Sequence, residues 1–215
     1  MSSRAMILER LNSATWTKPS SSREVISTPA SIVSGDVEMF VSKATAAGAQ
    51  VEEAGSLDEV QNRLVQIVQE EQLQKIVITD EENLKEIDWE QLSQQTKSQV
   101  QSIAQLPGEN YRSYVVEAGL GVTGCKYALA ETGTVVLEHS HSNERLVSHA
   151  PDHYVCIVKR DQILKDRYVL ASLFDSGLSS TAWTLVTGVS RTADVALQVV
   201  LGMHGPRKVT IFVVG

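Results

Sequence analysis

The strongest constraint on the fold is a change of hydrophobic period between residues 57 and 79. Leu57, Val60, Leu64, Ile67 and Val68 recur at three- and four-residue steps, which predicts a helix over residues 57–71 with Ser56 as its N-cap. Lys75-Ile-Val-Ile-Thr79 follows as a compact apolar run, suited to a buried parallel strand. Such a strand needs cover on both sides, so the segment places the chain in the α/β class.

The flanking sequence extends the rhythm. Asp36 can cap a helix through Ala47, Gly48 can end it, and residues 49–53 read as a strand. Residues 80–106, rich in Glu and Gln, read as one or two surface helices stopped by Pro107-Gly108. Beyond them, strands are expected at 113–117, 128–130, 134–138, 154–158, 184–187 and 209–213, with helices at 161–174 and 194–201. The alternation predicts one open, mostly parallel sheet with helices on both faces.

A short amphipathic helix over residues 5–14 and a Lys18-Pro-Ser-Ser-Ser22 linker make residues 1–25 an N-terminal extension, leaving 26–215 as one domain. Nineteen Lys and Arg against twenty-six Asp and Glu give a net charge of −7, which argues against nucleic-acid or membrane-surface binding. All of that excess lies in residues 1–107, with 9 basic and 16 acidic side chains, whereas residues 108–215 carry 10 of each. The five His and both Cys fall in the balanced half, so the chemistry is expected there. Cys125 and Cys156 are too few for a disulfide scaffold or a cluster's four thiolates and are expected to be reduced and structural. The N-terminus lacks a long apolar stretch and no run approaches 18 apolar residues, which makes the cytoplasm the expected location.

Four segments carry candidate chemistry. Gly119-Leu-Gly121-Val-Thr123-Gly124 matches a dinucleotide glycine pattern, but too few residues follow for a crossover helix; the alternative is a glycine-rich loop lining a pocket. In Glu131-Thr132-Gly133-Thr134, Gly133 suits a positive φ and Glu131 is either a base or nucleophile, or an acceptor for turn N–H groups. Thr187-Gly188-Val-Ser190-Arg191-Thr192-Ala-Asp194 between a strand and a helix offers backbone N–H groups, hydroxyls and a guanidinium to an anion, expected at the carboxyl edge of the sheet. His204 in Gly202-Met-His-Gly-Pro206 is either a proton donor or a helix-end cap. His139-Ser-His141 has metal-ligand spacing without an obvious completing ligand, so no metal is assigned.

In order and spacing, Gly121-Val-Thr-Gly124, Ala130-Glu-Thr-Gly-Thr134, the Thr187–Asp194 segment and Gly202-Met-His-Gly-Pro206 resemble the LUD-domain family. Arg145 and His153 match recurring positions, whereas Ala196 replaces an acidic residue that members often carry. The resemblance implies a three-layer α/β/α fold with a mostly parallel sheet, similar to the NagB/RpiA/CoA-transferase-like superfamily. It also implies a soluble component of L-lactate oxidation to pyruvate, working beside iron–sulfur partner proteins that hold the clusters, with no cofactor in this chain. On this reading Glu131 and His204 are catalytic. A small carboxylate or other anion is held by Gly121, Thr123, Gly124, Thr132, Gly133, Thr134, Arg145, Gly188, Ser190, Arg191, Thr192 and Asp194. Two alternatives stay open: a transferase- or cyclo-ligase-like enzyme with an acyl intermediate on Glu131, and a non-catalytic regulatory binding module.

Overall fold

A computed structural model describes residues 34–106, 110–139, 144–175, 182–193 and 199–215, together with Arg4, Met6, Ile7, Glu9 and Arg10, which are helical. Helices α1 (Val37–Ala46) and α2 (Leu57–Glu70) flank β1 (Gln50–Ala54). Then come β2 (Lys75–Ile78), α3 (Glu82–Lys85), α4 (Trp89–Thr96), β3 (Gln99–Ser102), α5 (Tyr111–Glu117) and β4 (Leu120–Gly124). The remainder is β5 (Tyr127–Leu129), β6 (Thr134–His139), β7 (His153–Lys159), β8 (Ile163–Leu164), α6 (Arg167–Asp175), β9 (Ala182–Val186), β10 (Arg191–Ala193), β11 (Val199–Leu201) and β12 (Lys208–Val214).

Six strands form a wholly parallel sheet in the order β1-β12-β7-β4-β2-β3. Alternation along each strand divides its side chains between two cores. On one face Phe212, Ile157 and Leu120 pack against Val60, Leu64 and Ile67 of α2 and against Leu84 and Leu92. On the other, Ile211, Val213, Tyr154 and Cys156 meet Phe40 and Ala44 of α1 and Val135 and Leu137 of β6. The α/β class and the parallel sheet are as expected. No helix among the described residues is long and apolar enough to cross a membrane.

Several elements differ from expectation. The strands expected at 128–130, 134–138 and 184–187 do not join the main sheet; with β8 they build a second, four-stranded one in the order β8-β5-β6-β9. Only residues 130–133 join β5 to β6, too few for a parallel crossover, so β6 turns back antiparallel on β5. The strand expected at 113–117 is α5: Tyr111 and Val115, one helical turn apart, are buried on Val77, while Val116 is 60% exposed. The helix expected over 161–174 is delayed to Arg167, because Ile163 and Leu164 pair with Ala128 and Leu129 and Asp166 then caps the backbone N–H groups of Tyr168 and Val169. Of the helix expected at 194–201, Val199–Leu201 is instead a strand pairing antiparallel with Arg191–Ala193, in keeping with its β-branched valines. Residues 194–198 lie outside the described set. Among the described residues the unexpected β3 pairs only with β2, at the sheet edge, where Gln side chains are tolerated.

Candidate functional site

Gly121, Thr123 and Gly124 lie inside β4 and not in a loop. A Cβ on Gly121 would stand 2.0 Å from the Val147 carbonyl oxygen and one on Gly124 2.4 Å from Asn83 Oδ1, so both glycines admit close neighbours. Thr123 Oγ1 donates to the Gly124 carbonyl and accepts from the Tyr154 hydroxyl, each at 2.7 Å, in a site where burial pushes Tyr154 well up. Cys125 and Cys156 are free and buried; hydrogen bonding to Cys156, then burial, drives the Cys125 thiol well above its ordinary range.

The Glu131–Thr134 turn and the Thr187–Arg191 segment meet around the last turns of α1. Gly133 (φ +66°) lies where a Cβ would be 2.1 Å from Ala44 N, and Gly188 (φ +68°) where one would be 2.0 Å from the Ala47 carbonyl oxygen. Thr132, Thr134 and Thr187 join the segments through a chain of hydroxyls spaced 2.7 Å apart. Arg191 donates from Nη2 to the Ala47 carbonyl at 2.5 Å, placing a cation at the negative end of α1. Ser190 N–H donates to Pro206 and Gly202 N–H to Ser190, each at 3.0 Å, which ties in the segment around His204.

Pro206 and Arg207 lead into β12, and Asp152 into β7, so these motifs gather at the amino edge of the parallel sheet. The carboxyl-edge expectation is thereby corrected. The cause is the second sheet: the loop after β9 leaves a strand paired with β6, whose start lies against α1.

The remaining expected site residues are dispersed. Glu131 Oε1 sits 3.1 Å from Arg167 Nη1 and accepts from the Arg167 backbone N–H. Arg145 and His204 are exposed, and Thr192 is half-buried in β10 opposite Val200. His139 Nε2 lies 2.9 Å from Thr184 Oγ1. His141, Asp194 and Ala196 fall outside the described residues. Among the described residues, no three His, Cys, Asp or Glu side chains converge as a metal would require.

What the amino edge does hold is a cleft of about 310 Å³ walled by Gly48 and Val189 and reaching His153, Arg207, Lys208 and Thr210. His153 is 4% exposed. Its Nδ1 lies 3.1 Å from Glu71 Oε2 and its Nε2 2.9 Å from Thr210 Oγ1. Burial lowers the His153 pKa and outweighs the carboxylate of Glu71, which raises it, so the ring is neutral near neutral pH. Burial pushes the Glu71 carboxyl up, but Lys208, 2.8 Å away, and His153 more than offset this and hold it below its ordinary range. A carboxylate only accepts, so Nδ1 carries the proton and Nε2 receives the Thr210 hydroxyl hydrogen. Of this group only His153 stood out in the sequence. Glu71 and Thr210 lie 82 and 57 residues from it and carry no local pattern.

The LUD domain family matches residues 37–214. Lactate utilization protein C of Deinococcus radiodurans is 38% identical over 96 residues, covering 44% of this chain and 45% of that protein. Lactate utilization protein C of a Geobacillus species is 32% identical over 112 residues, covering 50% of this chain and 46% of its own length. The matched stretches thus span about half the length of these relatives. A crystal structure of a DUF162 family protein from Deinococcus radiodurans shares the fold at a TM-score of 0.57 and 21% identity, over 83% of this chain and 95% of that one. With the family match extending from α1 to the end of β12, this chain belongs to the LUD-domain family.

Proposed function

We propose that the chain serves lactate utilisation, and that its own part is to bind a small carboxylate in the amino-edge cleft. The observation that carries this reading is the buried, doubly hydrogen-bonded His153 in a cleft where Arg207 and Lys208 remain 65% and 63% exposed. The names of the relatives support the system. Arg207 is held only loosely, 3.9 Å from Asp152, and so keeps its donor fork for a ligand carboxylate. Ser190 and Arg191 shape the rim through Val189 and Gly48. Proton handling passes in this proposal from Glu131 and His204 to His153, because the Glu131 carboxylate is engaged by Arg167. Redox chemistry is assigned to iron–sulfur partner proteins, in keeping with only two cysteines here.

Thermal unfolding with L-lactate or pyruvate tests the reading. A ligand at ~100 times its Kd adds roughly 2.7 kcal/mol of stability, and Arg207→Gln is expected to abolish the shift. No shift with either acid, or one untouched by Arg207→Gln, contradicts the binding site. In cells, a deletion strain is expected to grow poorly on lactate and to be restored by the wild-type gene; normal growth contradicts the lactate role.

A further inference from the structure

The hydrogen-bond polarity at Thr210 restricts what a ligand in the cleft presents to it. Lys208 of β12 stands opposite His153 of β7 in the parallel register, which brings Thr210, two residues on and on the same strand face, within 2.9 Å of His153 Nε2. With the ring neutral and Nδ1–H spent on Glu71, the Thr210 hydroxyl hydrogen is spent on Nε2. Toward the cleft Thr210 Oγ1 is then an acceptor only. A hydroxyl on the ligand satisfies it, whereas a keto oxygen or a methylene does not, and a site built to pair a hydroxyl discriminates strongly against analogues lacking one.

Resting on the carboxylate reading above, we infer that Thr210 is the specificity-determining residue, selecting a 2-hydroxycarboxylate over the corresponding 2-oxo acid while His153 is neutral. Protonation of His153 reverses the polarity. Nε2–H then donates to Thr210 Oγ1, the threonine hydrogen turns to the cleft, and a keto oxygen is accepted. Glu71, at the C-cap of α2, and Lys208 of β12 are the charges that act on His153, while Glu70 and Arg63 of α2 and Arg207 line the same cleft. Of these, the Glu71 carboxylate favours the imidazolium and Lys208 opposes it. Glu71 is a positioning residue that fixes the tautomer and sets where the reversal occurs.

Calorimetric titration of L-lactate, pyruvate and propionate into the full chain, at about pH 8 and at a pH low enough for NMR to show the His153 ring protonated, tests this. The wild type is expected to bind lactate at least ~10-fold more tightly than the other two at the higher pH. At the lower pH pyruvate approaches lactate and propionate stays weak. Thr210→Val, nearly isosteric, is expected to erase the preference at both pH values, weakening lactate and relieving the penalty on propionate, while Thr210→Ser retains it. Glu71→Gln is expected to move the reversal to lower pH. A lactate preference that survives Thr210→Val, or one independent of pH, overturns the inference. Equal binding of all three acids by the wild type overturns it while leaving the carboxylate site standing, and no binding by any of them removes both.

Discussion

The two ends of the parallel sheet carry clefts of different character. At the carboxyl edge, where open α/β sheets commonly bind ligands, a hollow of about 560 Å³ is lined by Leu57, Asp58, Lys159, Arg160 and Val214. Its cations are paired at the surface: Lys159 lies 3.6 Å from Glu86, and Arg160 pairs with Glu53, side chains 44% and 51% exposed. Exposed pairs of this kind contribute about 0–1 kcal/mol and fix little geometry. The amino-edge cleft is roughly half as large, yet it holds a buried imidazole bonded on both nitrogens. The comparison teaches that orientation of buried polar groups, not volume, marks the better candidate. It also shows how a second sheet redirects motif loops to the opposite end of a parallel one.

The largest expected difference between the ends is in backbone tolerance. Gly188→Ala at the amino edge is expected to cost about 3 kcal/mol, combining a positive φ with a clash against the Ala47 carbonyl. Gly55→Ala, just beyond β1 at the other end, meets nothing closer than 3.5 Å and is expected to change stability by less than ~0.5 kcal/mol. Urea unfolding of both variants measures the contrast; similar losses would break it.

The next effect is pH-dependent. The folded state holds the His153 pKa below the ordinary 6.5, so the unfolded chain takes up the proton first and stability is lost as pH falls through that range. Glu71, held below the ordinary 4.5, has the same sign and adds its loss at lower pH. The stability advantage of the wild type over His153→Gln is therefore expected to narrow as pH drops below about 6.5, as read from urea midpoints across pH. A constant gap contradicts the assignment. Smaller still, Arg191→Gln is expected to cost about 1 kcal/mol through loss of its bond to the end of α1. Arg160→Ala at the carboxyl edge is expected to cost ~0.5 kcal/mol or less by the same measurement.

Much of the scaffold was legible because local patterns are strong there. The helix beginning at Leu57 and the strand beginning at Lys75 follow their periods directly, and the strands within 154–158 and 209–213 are marked by apolar runs, the second interrupted only by Thr210. Residues 113–117 misled because a short apolar run does not fix its period, and only the burial of Tyr111 and Val115 on one helix face decides it. Of the visible motif segments, Glu131–Thr134 and Thr187–Arg191 do meet around α1, whereas Gly121–Gly124 lies inside β4. Which side chains face one another was not legible: Glu131 turns to Arg167, while the His153 network depends on partners far along the chain.

The account stands most directly on where a small carboxylate binds. Two-dimensional NMR of the isotope-labelled full chain, titrated with L-lactate, is expected to perturb the His153 ring and the Arg207 and Lys208 signals while those of Lys159 and Arg160 stay fixed. Perturbations confined to Lys159 and Arg160, or none at His153, would contradict it.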